Sequence, residues 1–178
     1  MKKKPIIALI LGTAHEERES FYVAVYLAQT LKKQFPDVTI KSIDVADFAF
    51  GRTTASWEQG TPEVQKWRRL VKAASAFVIV SPEYNHSFPG ELKIALDCAY
   101  SEYTDKPVIV AGVSVGAFGG ARGMASLQIV LNKLGMRTLR ENLYFGSSKK
   151  FAELGAKERD EQYKEKVIAS IESLIKYI

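Results

Sequence analysis

Cysteine is nearly absent. Cys98 stands alone in 178 residues, so no intrachain disulfide can form and a reducing, cytoplasmic setting is expected. It lies within an apolar helical pattern, where a small core residue fits better than a nucleophile. Histidine is scarce too. His15 and His86 are the only ones, which leaves a structural zinc site short of ligands, so no metal is expected. No apolar run approaches transmembrane length, and no membrane partner is expected. Lys2 to Lys4 before Ile6–Leu11 imitate a signal peptide. The apolar run is short, however, and leads into Thr13-Ala14-His15-Glu16-Glu17 without a small-residue cleavage pattern; a first β-strand fits better. There is also no linker, repeat or low-complexity tract.

What is present is ordinary for a globular chain: 47% hydrophobic and 25% charged residues. A chain of this length forms one domain over residues 1–178 and buries about 70% of its unfolded surface. The formal net charge is +5, concentrated in Lys2–Lys4, Arg68–Arg69 with Lys72, and Lys149–Lys150. That charge mildly favours an anionic ligand. No basic stripe interleaves with aromatics, so nucleic acid is not an expected partner.

Short apolar runs alternate with longer helical patterns. Ile6–Leu11 predicts a strand buried on both faces. Phe21, Ala24, Val25, Ala28 and Leu31 then follow helical spacing. Val38–Val45 alternates with one slip of phase, as near a sheet edge. Residues 47–61 read as a long surface loop, after which Thr61 caps a helix with Pro62 at its first position. The buried stripe of that helix is Val64, Trp67, Leu70, Val71 and Ala74. Phe77–Val80 predicts the third strand, Gly90–Tyr100 a helix and Pro107–Val113 the fourth strand. A helix burying Met124, Leu127, Leu131 and Leu134 ends at Gly135. Met136–Phe145 predicts the fifth strand. The last helix, about Lys157 to Tyr177, aligns Tyr163, Val167, Ile171, Leu174 and Ile178.

Five strands alternating with five helices imply an α/β fold: a parallel sheet with right-handed crossovers, for which, of the two common doubly wound orders, five units favour 2-1-3-4-5. Its ligand crevice lies at the carboxyl ends of strands 1, 3 and 4. The loops that fall there, Gly12–Ser20, Ser81–Gly90 and Ser114–Arg122, are the most unusual in the chain.

In the first loop, Thr13 and Ser20 offer hydroxyls and His15 and Arg18 cationic donors, at a helix amino terminus suited to a phosphate. Glu16, Glu17 and Glu19 oppose it unless they point outward; otherwise they complement the helix dipole. In the second loop Pro82 and Pro89 stiffen the backbone around Glu83, Tyr84 and Asn85. The result is either a platform for a flat heterocycle or an ordinary turn before the next helix. The third loop, with Ser114, Gly116, Gly119, Gly120 and Arg122, allows close backbone approach to a ligand or a plain flexible connection. It is no Walker loop, because no Gly-Lys-Ser/Thr follows.

The run Ser81-Pro82-Glu83-Tyr84-Asn85-His86-Ser87, with Pro89-Gly90-Glu91-Leu92-Lys93 and Ala95-Leu96-Asp97, resembles the signature of NADPH-dependent FMN reductases. Gly116 and Gly119-Gly120-Ala121-Arg122 resemble that family's second motif, and the likeness spans roughly Ile6 to Met136. It implies a flavodoxin-like three-layer sandwich over 1–178 holding FMN non-covalently. The phosphate would sit in the Gly12–Ser20 loop. Pro82, Glu83, Tyr84 and Asn85 would meet the isoalloxazine through main-chain groups, and Gly116 to Arg122 would take its other side. NADPH or NADH would pass a hydride to the flavin, and the flavin would reduce a small-molecule acceptor such as a quinone or another flavin. No catalytic side chain is implied, because the cofactor carries the chemistry. A homodimer or homotetramer is implied, with a neighbouring subunit walling the flavin.

The first loop departs from the family pattern Gly-Ser-x-Arg. Thr13 replaces the serine acceptably, whereas His15 is a poor arginine, being mostly neutral at pH 7. Arg18 is displaced. The departure predicts either a reduced affinity for FMN or a phosphate held by Arg18 after a loop shift. Two other readings stay open: an electron carrier without a nicotinamide site, against which the positive net charge speaks, and a flavin-free binding module.

Overall fold

The structure, a computed structural model, describes residues 4–178; Lys2 and Lys3 of the first basic cluster lie outside the described residues. Strands β1 (Ile6–Leu11), β2 (Thr39–Asp44), β3 (Ala76–Pro82) and β4 (Pro107–Val113) pair in parallel, and two short segments, β5 (Arg137–Thr138) and β6 (Leu143–Phe145), both pair with β4. The order is β2-β1-β3-β4-β5, as expected. Every residue of β3 and β4 is buried, which is why these strands read as unbroken apolar runs. In β2, at the edge, only Ile40 and Ile43 are buried.

Helices cover both faces. Ala8, Ile10, Phe77, Ile79, Val108 and Val110 face α2 (Pro62–Ala73), α3 (Gly90–Asp97) and α4 (Ala121–Lys133). Alternate residues of the same strands, Ile7, Leu9, Val78, Val80, Ile109 and Ala111, face α1 (Ser20–Gln34), α5 (Ser148–Glu153) and α6 (Ala156–Ile175). Thr61 caps α2 as its sequence predicts, its hydroxyl accepting the Val64 N–H at 3.3 Å.

Four expectations need correction. Ala24 and Leu31 of the expected α1 stripe are buried, together with Val23, Tyr26, Leu27 and Thr30, whereas Phe21 is exposed and Val25 and Ala28 are half-buried. The 47–61 loop is anchored rather than wholly superficial. Phe48 and Phe50 are buried edge-on against Trp67 at 5.5 and 5.7 Å. Helix α3 stops at Asp97, because the Cys98 carbonyl that would continue it accepts the Arg68 Nε–H at 2.6 Å. Arg68 also donates to the carbonyls of Ala55 and Glu58, so this cation of the second basic cluster holds a loop in place. The fifth strand is broken, because Asn142 Oδ1 accepts the Val110 N–H at 2.8 Å, where a continuous strand would use a backbone carbonyl. Helix α5, not expected from the sequence, packs Phe151 edge-on against Phe145 at 5.3 Å.

Candidate functional site

The three loops at the carboxyl ends of β1, β3 and β4 meet. In the first, Thr13 is fully buried; its hydroxyl accepts the His15 N–H at 3.3 Å and lies 3.4 Å from the Tyr84 hydroxyl of the second. Arg18 turns back on its own loop. Its Nη1 donates to the Thr13 carbonyl at 2.7 Å and its Nη2 to Asp44 Oδ2, at the end of β2, at 2.5 Å. The expected cationic donor is thus committed to a carboxylate that sequence reasoning did not single out. His15 is exposed and carries no side-chain hydrogen bond among the described residues.

Helix α1 begins without a side-chain cap. Phe21 and Tyr22 satisfy their N–H groups on the carbonyls of Arg18 and Glu19. Ser20 is 1% exposed, and its Oγ is the buried side-chain oxygen left without a partner among the described residues. Leaving such a hydroxyl unpaired costs about 1–3 kcal/mol, so its position asks for an external partner. It borders a cleft of about 50 Å³ shared with Pro82, Tyr84, Ser114 and Ser148. Glu16 and Glu17 instead line a neighbouring groove, with Phe21, Tyr22 and Lys149, while Arg18 and Glu19 border both.

The second loop is a tight hairpin. Tyr84 and Ser87 exchange two backbone hydrogen bonds of 2.9 Å each around Asn85 and His86, whose φ values are 50° and 62°. Positive φ at both central residues is the geometry of a type I′ turn. The tip is exposed, and the N–H groups of Asn85 and His86 have no backbone partner among the described residues. The turn is fastened from behind. Glu83 Oε2 accepts the Gly123 N–H at 2.9 Å in the first turn of α4, and Ser126 Oγ donates to the His86 carbonyl at 3.2 Å. The Glu83 side chain is therefore occupied by the protein itself.

The third loop corrects one expectation about its glycines. Gly119 and Gly120, at φ 60° and 78°, are needed for internal packing: a Cβ would lie 2.8 Å from the Phe145 nitrogen or 2.9 Å from the Val113 nitrogen. Only Gly116 faces open space. Ser114 Oγ receives the Gly120 N–H and donates to the Gly116 carbonyl, both at 3.0 Å, which shapes the loop from inside. Arg122 is exposed and stacks over Phe118 at 5.4 Å without an ion pair among the described residues.

No acid–base pair is assembled here. The groups whose pKa is moved by burial, Tyr26, Cys98, Tyr103 and the half-buried Lys106, all lie outside the three loops. Among the described residues, no three His, Cys, Asp or Glu side chains gather where they could hold a metal. No helix there is long and apolar enough to cross a membrane.

A sequence profile of the NADPH-dependent FMN reductases matches residues 5–150. The chain belongs to this family. An NAD(P)H-dependent FMN reductase of Saccharomyces cerevisiae is 28% identical over 148 residues, 75% of this chain and 76% of the yeast protein. A quinone reductase of Escherichia coli is 31% identical over 154 residues, 82% of this chain and 79% of its own. The fold matches a flavoenzyme NAD(P)H:(acceptor) oxidoreductase of Paracoccus denitrificans with a TM-score of 0.78, covering 97% of this chain and 98% of that one at 18% identity.

The protein is thus an FMN-dependent NAD(P)H oxidoreductase of flavodoxin-like fold. Its residues fit that cofactor. The unpaired Ser20 hydroxyl beside an uncapped helix amino terminus suits a phosphate. The cleft there is far smaller than the roughly 300 Å³ at which small-molecule pockets begin, so it suits the phosphate end while a ring needs the open surface around the exposed hairpin.

Proposed function

We propose that the FMN phosphate seats at the amino terminus of α1, on Ser20 Oγ and N–H, with the Thr13 hydroxyl and the His15 imidazole beside it. The isoalloxazine lies against the main chain of Pro82 to Asn85, with Gly116 to Arg122 on its other side. The observation that carries this reading is the buried, partnerless hydroxyl of Ser20. Bound FMN supplies hydride acceptance and donation. The chain's own part is binding and orientation. Glu83 and Ser126 hold the hairpin against α4, so the free N–H groups of Asn85 and His86 stay aimed without an ordering cost on binding. Because the hairpin tip is exposed, NAD(P)H and a small planar acceptor, a quinone or another flavin, reach the ring by turns from the same side.

The same reading includes a cytoplasmic protein whose single domain, residues 1–178, works as a homodimer or homotetramer. Trp57 is 86% exposed beside Tyr100 and Ile129 in a groove of about 490 Å³ between α3, α4 and the 47–61 loop. An aromatic and aliphatic patch flanked by Lys93, Asp97 and Lys133 has the make-up of an interface core with a polar rim, and a second copy is its occupant.

An anaerobic spectrum tests the function. The protein with FMN is yellow, NADPH or NADH bleaches the flavin band, and a quinone restores it. Two results contradict the reading. One is a colourless protein whose melting temperature ignores FMN; the other is a flavin band that neither nicotinamide bleaches, which leaves an electron carrier.

A further inference from the structure

We propose that Asp44 sets how strongly the site selects a phosphorylated flavin, by holding Arg18 as half of a closed ion pair. The inference rests on the reading that the phosphate seats at the amino terminus of α1. Arg18 borders the cleft that Ser20 faces, so its charge sits where a phosphate would be drawn. That charge is cancelled on the spot. The Asp44 carboxylate lies 2.5 Å from Nη2, and the two side chains are 15% and 24% exposed, shielded enough that salt screens them weakly.

Asp44 is itself held in place. Its other oxygen accepts the Ala46 N–H at 2.9 Å, and its backbone stands in register with Leu11, the last residue before the phosphate loop. The second arm of Arg18, on the Thr13 carbonyl, keeps the guanidinium inside the loop. The phosphate therefore meets a neutral pair, a helix terminus and the hydroxyls of Ser20 and Thr13, with Glu19 at the border. Such a site grips the ring and ribityl chain while gaining little from the phosphate. Arg18 becomes a positioning residue, and Asp44 the group that decides its net charge.

FMN and riboflavin titrated into flavin-free protein, read by quenching of flavin fluorescence, separate the terms. In Asp44→Asn the asparagine oxygen still accepts the Ala46 N–H, while one negative charge is gone. FMN then binds about tenfold tighter and riboflavin as before, the scale of one unit charge a few ångströms away in a partly solvated site. Arg18→Gln leaves Asp44 unpaired and weakens FMN by a similar factor. The double variant, neutral like the native pair, returns to within about threefold of wild type, since charges cancel in pairs.

If Arg18 instead ligates the phosphate, the double variant stays as weak as Arg18→Gln and Asp44→Asn gains nothing; that result overturns the proposal. Ser20→Ala distinguishes the two layers of the argument. Loss of FMN but not riboflavin affinity in Ser20→Ala, with Asp44→Asn silent, sinks the role of Asp44 alone. Equal loss of both ligands in Ser20→Ala sinks the phosphate reading and the proposal with it. Melting curves without flavin report any folding defect. Wild-type protein gives a check free of substitutions. Its FMN-to-riboflavin ratio shifts by less than about threefold between low and high salt, and a steep fall contradicts the cancelled pair.

Discussion

The Glu83 carboxylate accepts the backbone N–H of Gly123 across 2.9 Å, joining the loop after β3 to the first turn of α4. Gly123 is the third residue of that helix, so the carboxylate does from another loop what a side-chain cap does from within. The contact leaves a larger residue room only if the hairpin gives by a few tenths of an ångström. A Cβ on Gly123 would stand 3.0 Å from the Ser87 carbonyl and 3.2 Å from Glu83 Cβ.

Glu83→Ala removes the cap and loosens the hairpin. A loss of about 0.5–2 kcal/mol is expected in urea unfolding, as for a deleted N-cap. Glu83→Gln keeps an acceptor oxygen and recovers most of it. Equal losses in both variants would show that charge, rather than the hydrogen bond, holds the two loops together.

Trp67 is the keystone of the α2 side. It is fully buried, Phe48 and Phe50 meet it edge-on, and its Nε1–H donates to the Tyr103 hydroxyl at 2.9 Å. Trp67→Ala is expected to lose about 3–5 kcal/mol of stability and to release the 47–61 loop to proteolysis. Trp67→Phe fills part of the space and leaves Tyr103 without its donor, at about 1–3 kcal/mol. Unfolding midpoints within error of wild type for both variants would contradict this packing.

Alkaline pH attacks one phenol on each face of the sheet. Burial, and then the Asp160 carboxylate, raise the Tyr26 phenol from 10.0 to about 12, and burial pushes Tyr103 up as well. Both phenols bind their protons more tightly when folded, so their contribution is fully present below pH 10, the unfolded value. For Tyr26 it is lost as pH rises from 10 towards about 12. Urea midpoints are expected to be flat from neutrality to pH 9, where the buried Cys98 thiol, also pushed up, begins to add its own loss, and to fall more steeply above pH 10. A midpoint unchanged through that upper window would show that neither phenol is held protonated by the fold.

The sheet order was legible because β1, β3 and β4 are buried on both faces and leave uninterrupted apolar runs. The α1 face was not. Phe21, Tyr22, Val23, Val25, Tyr26 and Leu27 offer more than one apolar stripe, and only the docking against β1 and β3 selects Val23, Tyr26 and Leu27. The broken fifth strand turns on one side-chain oxygen, that of Asn142, which no periodicity reveals. Helix α5 hangs on Phe151 alone among polar neighbours, too short for a periodic signal.

The site divides the same way. Its three loops were visible as rigid or glycine-rich breaks after buried strands. What their residues do was less visible, because Glu83, Gly119 and Arg18 are taken up by partners far along the chain. Asp44 could have been found from the strand order itself, which brings the end of β2 beside the loop that follows β1.

Amide NMR shifts of the labelled protein on addition of FMN test the central claim most directly. The account predicts the largest changes at Ser20, at Asn85 and His86, and at Gly116, the positions with free donors or open backbone at the meeting of the three loops. Largest changes in the groove of Trp57, Tyr100 and Ile129, with Ser20 and Asn85 unmoved, would contradict it.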